Sequence, residues 1–369
     1  MKQARNELDG DIYLVGGALR DMLLSLSSSD LDFVAIGDYK AYAKLIAKEL
    51  HSHTVLFKDN IRIPYAGGYI DISAPRGATI EEDLRFRDFT INNLAMSMDG
   101  EIIGDPSDLE SKRIVPVYDR TFDDDPVRIL RGFRQAATLG FTLSEAFIEL
   151  AKAKMPLLAT VAGERIYEEL KKFANAKHAT ALIYEQAEKS GLWQMLADAT
   201  PDIEKLFGLH SLNVPYRDAF TEDERLTLFL AVLFANGNVE DIEKLHPSRQ
   251  VQRGCVDLLN KSKPCMAEAL NNPERAAWHY YKLLPLLLPF IEHYYGFNPD
   301  ILLAAIDKIN AYNGYLVNGA TMLAAAPDRQ SGHWISDIMD DCNFRLTFGL
   351  LQGEDAALAF IKKKIGELQ

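Results

Sequence analysis

The chain has 369 residues, more than one hydrophobic core ordinarily organises, so two or three domains are expected. Apolar residues make up 48%, enough for sizeable cores, but no uncharged apolar run reaches the roughly 18 residues of a membrane helix. The formal charge of −13 argues against a general polyphosphate-binding coat, though not against a local basic cleft.

From the start of the chain, MKQARNELDGD is charged and has no apolar signal core behind it. Short β-rich runs follow: DIYLVGG, LDFVAIG, HTVLF, IRIPYAGGYIDIS and EIIGD. One helical stretch, YKAYAKLIAKEL, interrupts them. After DDDPVRILRGF strand signals almost vanish. ALIYEQAEKSGLWQML, DERLTLFLAVLFA, ERAAWHYYKLLPLLLPFIEHYY and DILLAAIDKINAY carry helical periodicity, punctuated by Pro and Gly. The fold class expected is α+β. A head with a small mixed sheet and helices spans residues 1–122, a helical neck 123–180, and a helical body and tail 181–369. Cys255, Cys265 and Cys342 are odd in number and outside any metal spacing, so a cytoplasmic protein with reduced thiols is expected.

The chemistry concentrates near residue 30. DIYLV runs into Gly16-Gly17, whose backbone freedom permits a sharp turn and close approach of a ligand. ALRDMLLSL then begins a helix whose free N–H groups suit a phosphate, with Arg20 in its first turn. In DLDFVAI, Asp30 and Asp32 are two apart on a strand and share a face. Two such carboxylates repel unless a cation lies between them, and Mg²⁺ is the hard, oxygen-seeking ion for that place. A bare DxD more often caps a strand and faces water; the neighbouring glycines and arginine reverse those odds.

GGALRDMLLSLSSSDLDF resembles the GGxVRDxLLGxxxxDxD signature of class II tRNA nucleotidyltransferases and bacterial poly(A) polymerases, of the polymerase β superfamily. Ser25 and Ser29 depart from the pattern, and neither removes a metal ligand. The resemblance implies that Asp30 and Asp32 hold catalytic Mg²⁺ and that Gly16, Gly17 and Arg20 contact a nucleoside triphosphate. A third acid on a neighbouring strand is common there, and Asp71 in YIDISAPR falls where it is expected; an edge-strand acid facing solvent is the alternative. EEDLRFRDFTINNLAM is similar to the family's EEDLxRRDFTINALA block, with Phe86 in place of the first Arg. Arg87 would pair with triphosphate oxygens. Asn92 is expected to be a buried structural residue.

In DDDPVRILRGFRQAATLGF, Pro126 suits a helix start and Gly140 its end. Leu130, Phe133 and Ala137 define an apolar stripe, with Asp125, Arg128 and Arg131 opposite. Read alone, these charges are a salt-bridged helix face. The block resembles the family's EDxxRxxRxxRF motif, which implies a protein template. Asp125 and Arg128 would pair with the Watson–Crick edge of CTP or ATP, and Arg131 and Arg134 would serve the triphosphate or brace the template. GERIYEEL resembles a motif that steadies this helix, and YLVNGATML a tail segment, with Thr321 where Asp is common.

The activity implied is addition of C and/or A from CTP and ATP to the 3′ acceptor end of tRNA. The helical remainder would hold the tRNA, with KLHPSRQVQR and the Lys171–Lys172 region as basic candidates. Only ISAPRGATIEEDLRF separates Asp71 from Arg87, a shorter segment than full CCA-adding members carry, which favours a CC-adding form. A poly(A) polymerase is the alternative. A non-catalytic RNA-binding relative would be expected to lack one carboxylate of the DxD pair, and both are present.

Overall fold

The structure, a computed structural model, describes residues 10–211 and 220–368. They fall into two units, residues 10–211 with 220–248, and residues 249–368.

In the first unit, alternating apolar residues build seven described strands into one mixed sheet. These are β1 (Gly10–Val15), β2 (Asp30–Gly37), β3 (Val55–Leu56), β4 (Asn60–Tyr65), β5 (Gly68–Ser73), β6 (Ala95–Met96) and β7 (Ile102–Ile103). Their order is β3-β4-β5-β2-β1-β6-β7, antiparallel except for β2 beside β5. The IRIPYAGGYIDIS run is a hairpin whose turn sets Tyr65 opposite Gly68. On one face the helix Tyr39–Glu49 buries Tyr42, Ala43, Ile46 and Ala47. It packs over β2, β4 and β5. Its start is capped by Asp38, whose carboxylate accepts from the Lys40 and Ala41 N–H groups at 3.0 and 3.1 Å. On the other face Val15, Val34 and Ala95 pack with Ile80 and Leu84 of the short helix Ile80–Leu84.

The head passes into the helix Val127–Leu139, which ends at Gly140 in the left-handed region, φ 70°. Leu130, Phe133 and Ala137 are wholly buried, as their spacing predicts. Phe147 is the centre of this packing, with the rings of Phe89, Phe122 and Phe133 at centroid distances of 5.9, 5.5 and 5.2 Å. Gly132 makes the approach possible, since a Cβ there would lie 2.1 Å from the Phe147 ring. Strand signal does not vanish entirely: β8 (Arg113–Ile114) and β9 (Thr142–Leu143) form a parallel pair across this junction.

Further on, the helix Gly163–Ala174 packs Phe173 against Tyr184, Trp193 and Phe229. The helix Glu222–Leu233 buries every residue from Leu226 to Leu233. A helix apolar on all sides is a core helix, and its neighbours within this unit surround it.

The second unit is helical among its described residues, from Arg249–Asn271 to Gly353–Glu367. Val317, Met322, Ile338, Cys342, Leu346, Ala357 and Ile361 form one of its apolar clusters. The LLPLLLPF run lies in the helix Leu284–Tyr295, and no helix among the described residues is long and apolar enough to cross a membrane. Burial pushes the Cys255 and Cys265 thiols up to about 12 and that of Cys342 up to about 11, so none is a reactive thiolate at neutral pH.

Gly132→Ala is expected to lower unfolding free energy by about 1–3 kcal/mol through overpacking against Phe147. Chemical denaturation measures it, and an unchanged midpoint would show that the ring yields freely.

Candidate active site

The carboxylates form a row across two strands, and an arginine continues it onto a third. Asp30 and Asp32 project from one face of β2. Asp30 lies opposite Tyr69 and Asp32 opposite Asp71 on parallel β5, while Arg62 on β4 lies opposite Asp71. Paired positions point to the same side, so these side chains share one surface. Arg62 grips Asp71 with a fork, its Nε and Nη2 donating at 2.9 and 2.7 Å. Both Asp71 oxygens are thereby engaged.

Asp30 and Asp32 remain open to solvent. Even so, desolvation by the surrounding protein lifts the Asp32 carboxyl above its ordinary range. The Asp71 charge adds to the rise, Arg87 opposes it, Asp30 adds again, and Arg131 opposes. Among the described residues no group of three or more His, Cys, Asp or Glu side chains forms a metal cage. Mg²⁺ needs none, since it binds through one or two carboxylates and the phosphates of its substrate. A crowded, mutually repelling pair of hard oxygen donors fits such an ion.

The glycine turn stands at the end of the adjacent strand. The helix Gly16–Leu23 starts at the first glycine, which has φ 66°. A Cβ on Gly16 would sit 3.4 Å from Nη1 of Arg87, so the turn and this guanidinium are close neighbours. Arg87 is held by Asp83, buried one helical turn earlier, whose Oδ2 accepts from Nη2 at 2.6 Å. The other oxygen of Asp83 accepts from the Arg76 N–H at 3.0 Å, fastening residues 74–79 to the same anchor. Arg20 turns inward: its Nη1 donates to Asn92 Oδ1 at 2.8 Å and to Gln135 Oε1 at 3.2 Å. Asn92 is buried, as expected.

That inward network centres on Asp88. Its Oδ1 accepts from the Phe89 N–H at 2.9 Å and from Asn92 Nδ2 at 2.8 Å. Its Oδ2 accepts from Gln135 Nε2 at 3.4 Å and pairs with Arg131 Nε at 2.7 Å. Burial works against its charge. Arg131, the Asn92 amide, the Phe89 N–H and Arg128 overcome it and hold the carboxyl below its ordinary range.

On the neck, Arg128 donates to the Phe86 carbonyl at 2.9 Å and to Thr121 Oγ1 at 3.1 Å. Asp125 is not on the helix face where its spacing put it. It sits in an extended link between the helices Thr121–Asp124 and Val127–Leu139, because the residue before a proline is pushed out of helical backbone. Its Oδ2 accepts from Arg165 Nη2 at 2.7 Å, and its Oδ1 is buried without a hydrogen-bond partner. Arg134 does not join the carboxylates; its Nε donates to Glu169 Oε2 at 2.8 Å and ties two helices together. Lys171 is paired with Asp223 at 2.7 Å.

Sequence reading missed Arg62, Asp83 and Gln135 and gave Arg165 only a bracing role. Asp83 was legible as the i−4 partner of Arg87. Arg62 was legible from the hairpin register. Arg165 and Gln135 carry no local signal.

Comparison with known proteins agrees with this architecture. Residues 12–115 match the poly A polymerase head domain, and residues 140–206 match the probable RNA and SrmB-binding site of polymerase A. The CCA-adding enzyme of Streptococcus suis is 27% identical over 97% of this chain and 93% of its own. The CC-adding tRNA nucleotidyltransferase of Halalkalibacterium halodurans is 34% identical over 46% of each chain. A CCA-adding enzyme solved with ATP superposes with TM-score 0.79 at 20% identity, covering all of this chain and 94% of that one. The Thermotoga maritima CCA-adding enzyme solved with tRNA gives 0.75 at 21%, over 99% and 93%. These likenesses establish the fold.

Two expectations follow from the charges. A carboxyl whose pKa is raised by folding contributes stability at low pH that is lost as pH rises through the folded value. Asp32→Asn, permanently neutral, should therefore melt no lower than the parent at pH 7 without divalent ions. Mg²⁺ should raise the parent's Tm and leave the variant's unmoved; equal shifts in a thermal scan would count against the metal assignment. Asp88 has the opposite sign: its contribution is complete above the ordinary carboxylate pKa and lost as pH falls through the lower folded value. Asp88→Asn should cost about 2 kcal/mol at pH 7 and less in acid, measured by denaturation at a series of pH values.

Proposed function

We propose that the chain is a member of the family of class II tRNA nucleotidyltransferases and bacterial poly(A) polymerases, and that it adds C and/or A residues from CTP and ATP to the 3′ end of tRNA without a nucleic-acid template. Residues 1–122 carry the chemistry, 123–180 the selection of the base, and 181–369 the grip on RNA.

The 3′-hydroxyl gives up its proton to solvent as its oxygen forms a bond to the α-phosphorus, the bond to the bridging oxygen breaks, and pyrophosphate leaves with that electron pair. Such a reaction asks the protein for position and charge more than for covalent chemistry. Arg87, fixed by Asp83 beside Gly16, supplies positive charge for the triphosphate, with Arg131 nearby. Asp30 and Asp32 are the residues to hold Mg²⁺, which when bound lends Lewis-acid charge to the reacting oxygens. Arg20 acts from behind the turn, keeping Gly17 and the buried network in place.

Base selection rests on Asp125, whose buried, unpartnered Oδ1 is the observation that carries this reading. The Asp125 side chain is part-exposed, and an acceptor on it without a partner is costly until something donates to it. Arg165 fixes the other oxygen. The exocyclic amine of cytosine or adenine supplies the missing donor, and Arg128 donates to the ring acceptors beside it. Uracil and guanine present a carbonyl where Asp125 needs an amine.

The CC-adding form is favoured because only residues 74–79 lie between β5 and the helix Ile80–Leu84, pinned through Arg76 to Asp83. The test is incubation with tRNA ending at the discriminator base, at C or at CC, with each labelled nucleotide alone and together. Stopping after two C residues is expected; a full CCA end would replace the narrower form. Open-ended AMP addition to unstructured RNA would replace the reading with a poly(A) polymerase. Asp125→Ala should lose discrimination against UTP and GTP by about ten-fold or more, and unchanged discrimination would remove the template role.

A further inference from the structure

We propose that Tyr118 is a positioning residue for base selection: its phenol occupies the Asp124 carboxylate, keeps it from pairing with Arg128, and so leaves that guanidinium available to the incoming base. The proposal deepens the base-selection reading above and rests on it.

Arg128 follows three consecutive acids, Asp123, Asp124 and Asp125, and its hydrogen bonds go to none of them. Two of the acids are met by other cations, Asp123 by Lys154 and Asp125 by Arg165, each at 2.7 Å. Asp124 is different. Among the described residues it forms no ion pair, and its Oδ2 accepts from the Tyr118 hydroxyl. Arg85 and Arg120 line the same cleft of about 550 Å³ as Tyr118 and Asp124, so cations are at hand, yet a neutral phenol holds the acid.

The phenol stands in reach of both charges. Burial pushes the Tyr118 hydroxyl above its ordinary range, the hydrogen bond with Asp124 adds to the rise, and Arg128 opposes it. One hydroxyl therefore feels the carboxylate and the guanidinium together. The turn that carries it is fixed. The Thr121 N–H donates to the Tyr118 carbonyl at 3.1 Å, and the Val117 N–H to the Asp88 carbonyl at 3.3 Å.

The acceptors of Arg128 are all neutral: the Phe86 carbonyl at 2.9 Å, and Thr121 through its Oγ1 at 3.1 Å and its carbonyl at 3.4 Å. They set the plane of the fork without spending all five of its N–H donors. Hydrogen bonds between charged partners are roughly twice as strong as neutral ones. An uncovered Asp124 would thus draw Arg128 off these acceptors and take the donors that a cytosine or adenine ring needs.

The test compares the full chain with Tyr118→Phe, Asp124→Asn and the two combined, reading kcat/KM for CTP against UTP on tRNA lacking its end. Tyr118→Phe should lower the preference for CTP about ten-fold, because Arg128 turns to the bared carboxylate. Asp124→Asn alone should keep the parent's preference. The double variant should recover it, since no carboxylate remains to capture the guanidinium. A double variant as poor as Tyr118→Phe would overturn the proposal, for the phenol would then act through packing alone. An unchanged preference in Tyr118→Phe would overturn it equally. If the parent transfers no nucleotide, the base-selection reading fails by itself, and a crystal structure of Tyr118→Phe judges the latch. Arg128 should there leave the Phe86 carbonyl and pair with Asp124; a guanidinium still seated on Phe86 and Thr121 would sink the idea.

Discussion

Asp88 is buried yet held ionised, and the geometry of the first unit depends on it. One carboxylate collects the Phe89 N–H, the amides of Asn92 and Gln135 and the Arg131 guanidinium. Asn92 and Gln135 in turn receive Arg20, which stands against the glycine turn. The segment between β5 and β6, the turn beside the carboxylates and the neck helix thus share a single charge centre. An ionised group in the interior tolerates little displacement of its donors, because each lost bond exposes an unpaired charge. Through Arg131 and Gln135 that intolerance holds the neck helix against the segment from Asp88 to Asn92.

The surface around the carboxylates follows a division of sign. Acids stand in the middle of the row, at Asp30, Asp32 and Asp71, and guanidiniums flank them at Arg62 and Arg87. Each arginine is fixed by an acid of its own, Asp71 or Asp83, so side-chain entropy is already lost before any ligand arrives. At Asp32 desolvation and the charges of Asp71 and Asp30 outweigh the relief from Arg87 and Arg131, and the carboxyl is raised above its ordinary range.

Much of this was legible in the sequence, and the exceptions have physical causes. Strand alternation, the Asp38-capped helix and the stripe of Leu130, Phe133 and Ala137 are local patterns, and local patterns survive in one dimension. The short strands β6, β8 and β9 were not legible, since two-residue pairings depend on what lies beside them. Asp125 was misplaced by helical counting although Pro126 already barred it from the helix. Arg165 reaches Asp125 from forty positions away, and Gln135 reaches Asn92 from forty-three. No periodicity records such distances; only packing does. Charge type announced the chemistry, and tertiary contact decided which charges face it.

The ring of Phe147 has a consequence for how this protein could be taken apart. It touches Phe89 before the neck helix, Phe122 at its approach and Phe133 upon it, while β9 just before it pairs with β8. A neck transplanted from a relative would therefore bring its own partner for that ring, and a knob cut for a different socket would tilt the grafted helix. Chimeras that exchange base preference between relatives must carry residues 89 to 147 as one block.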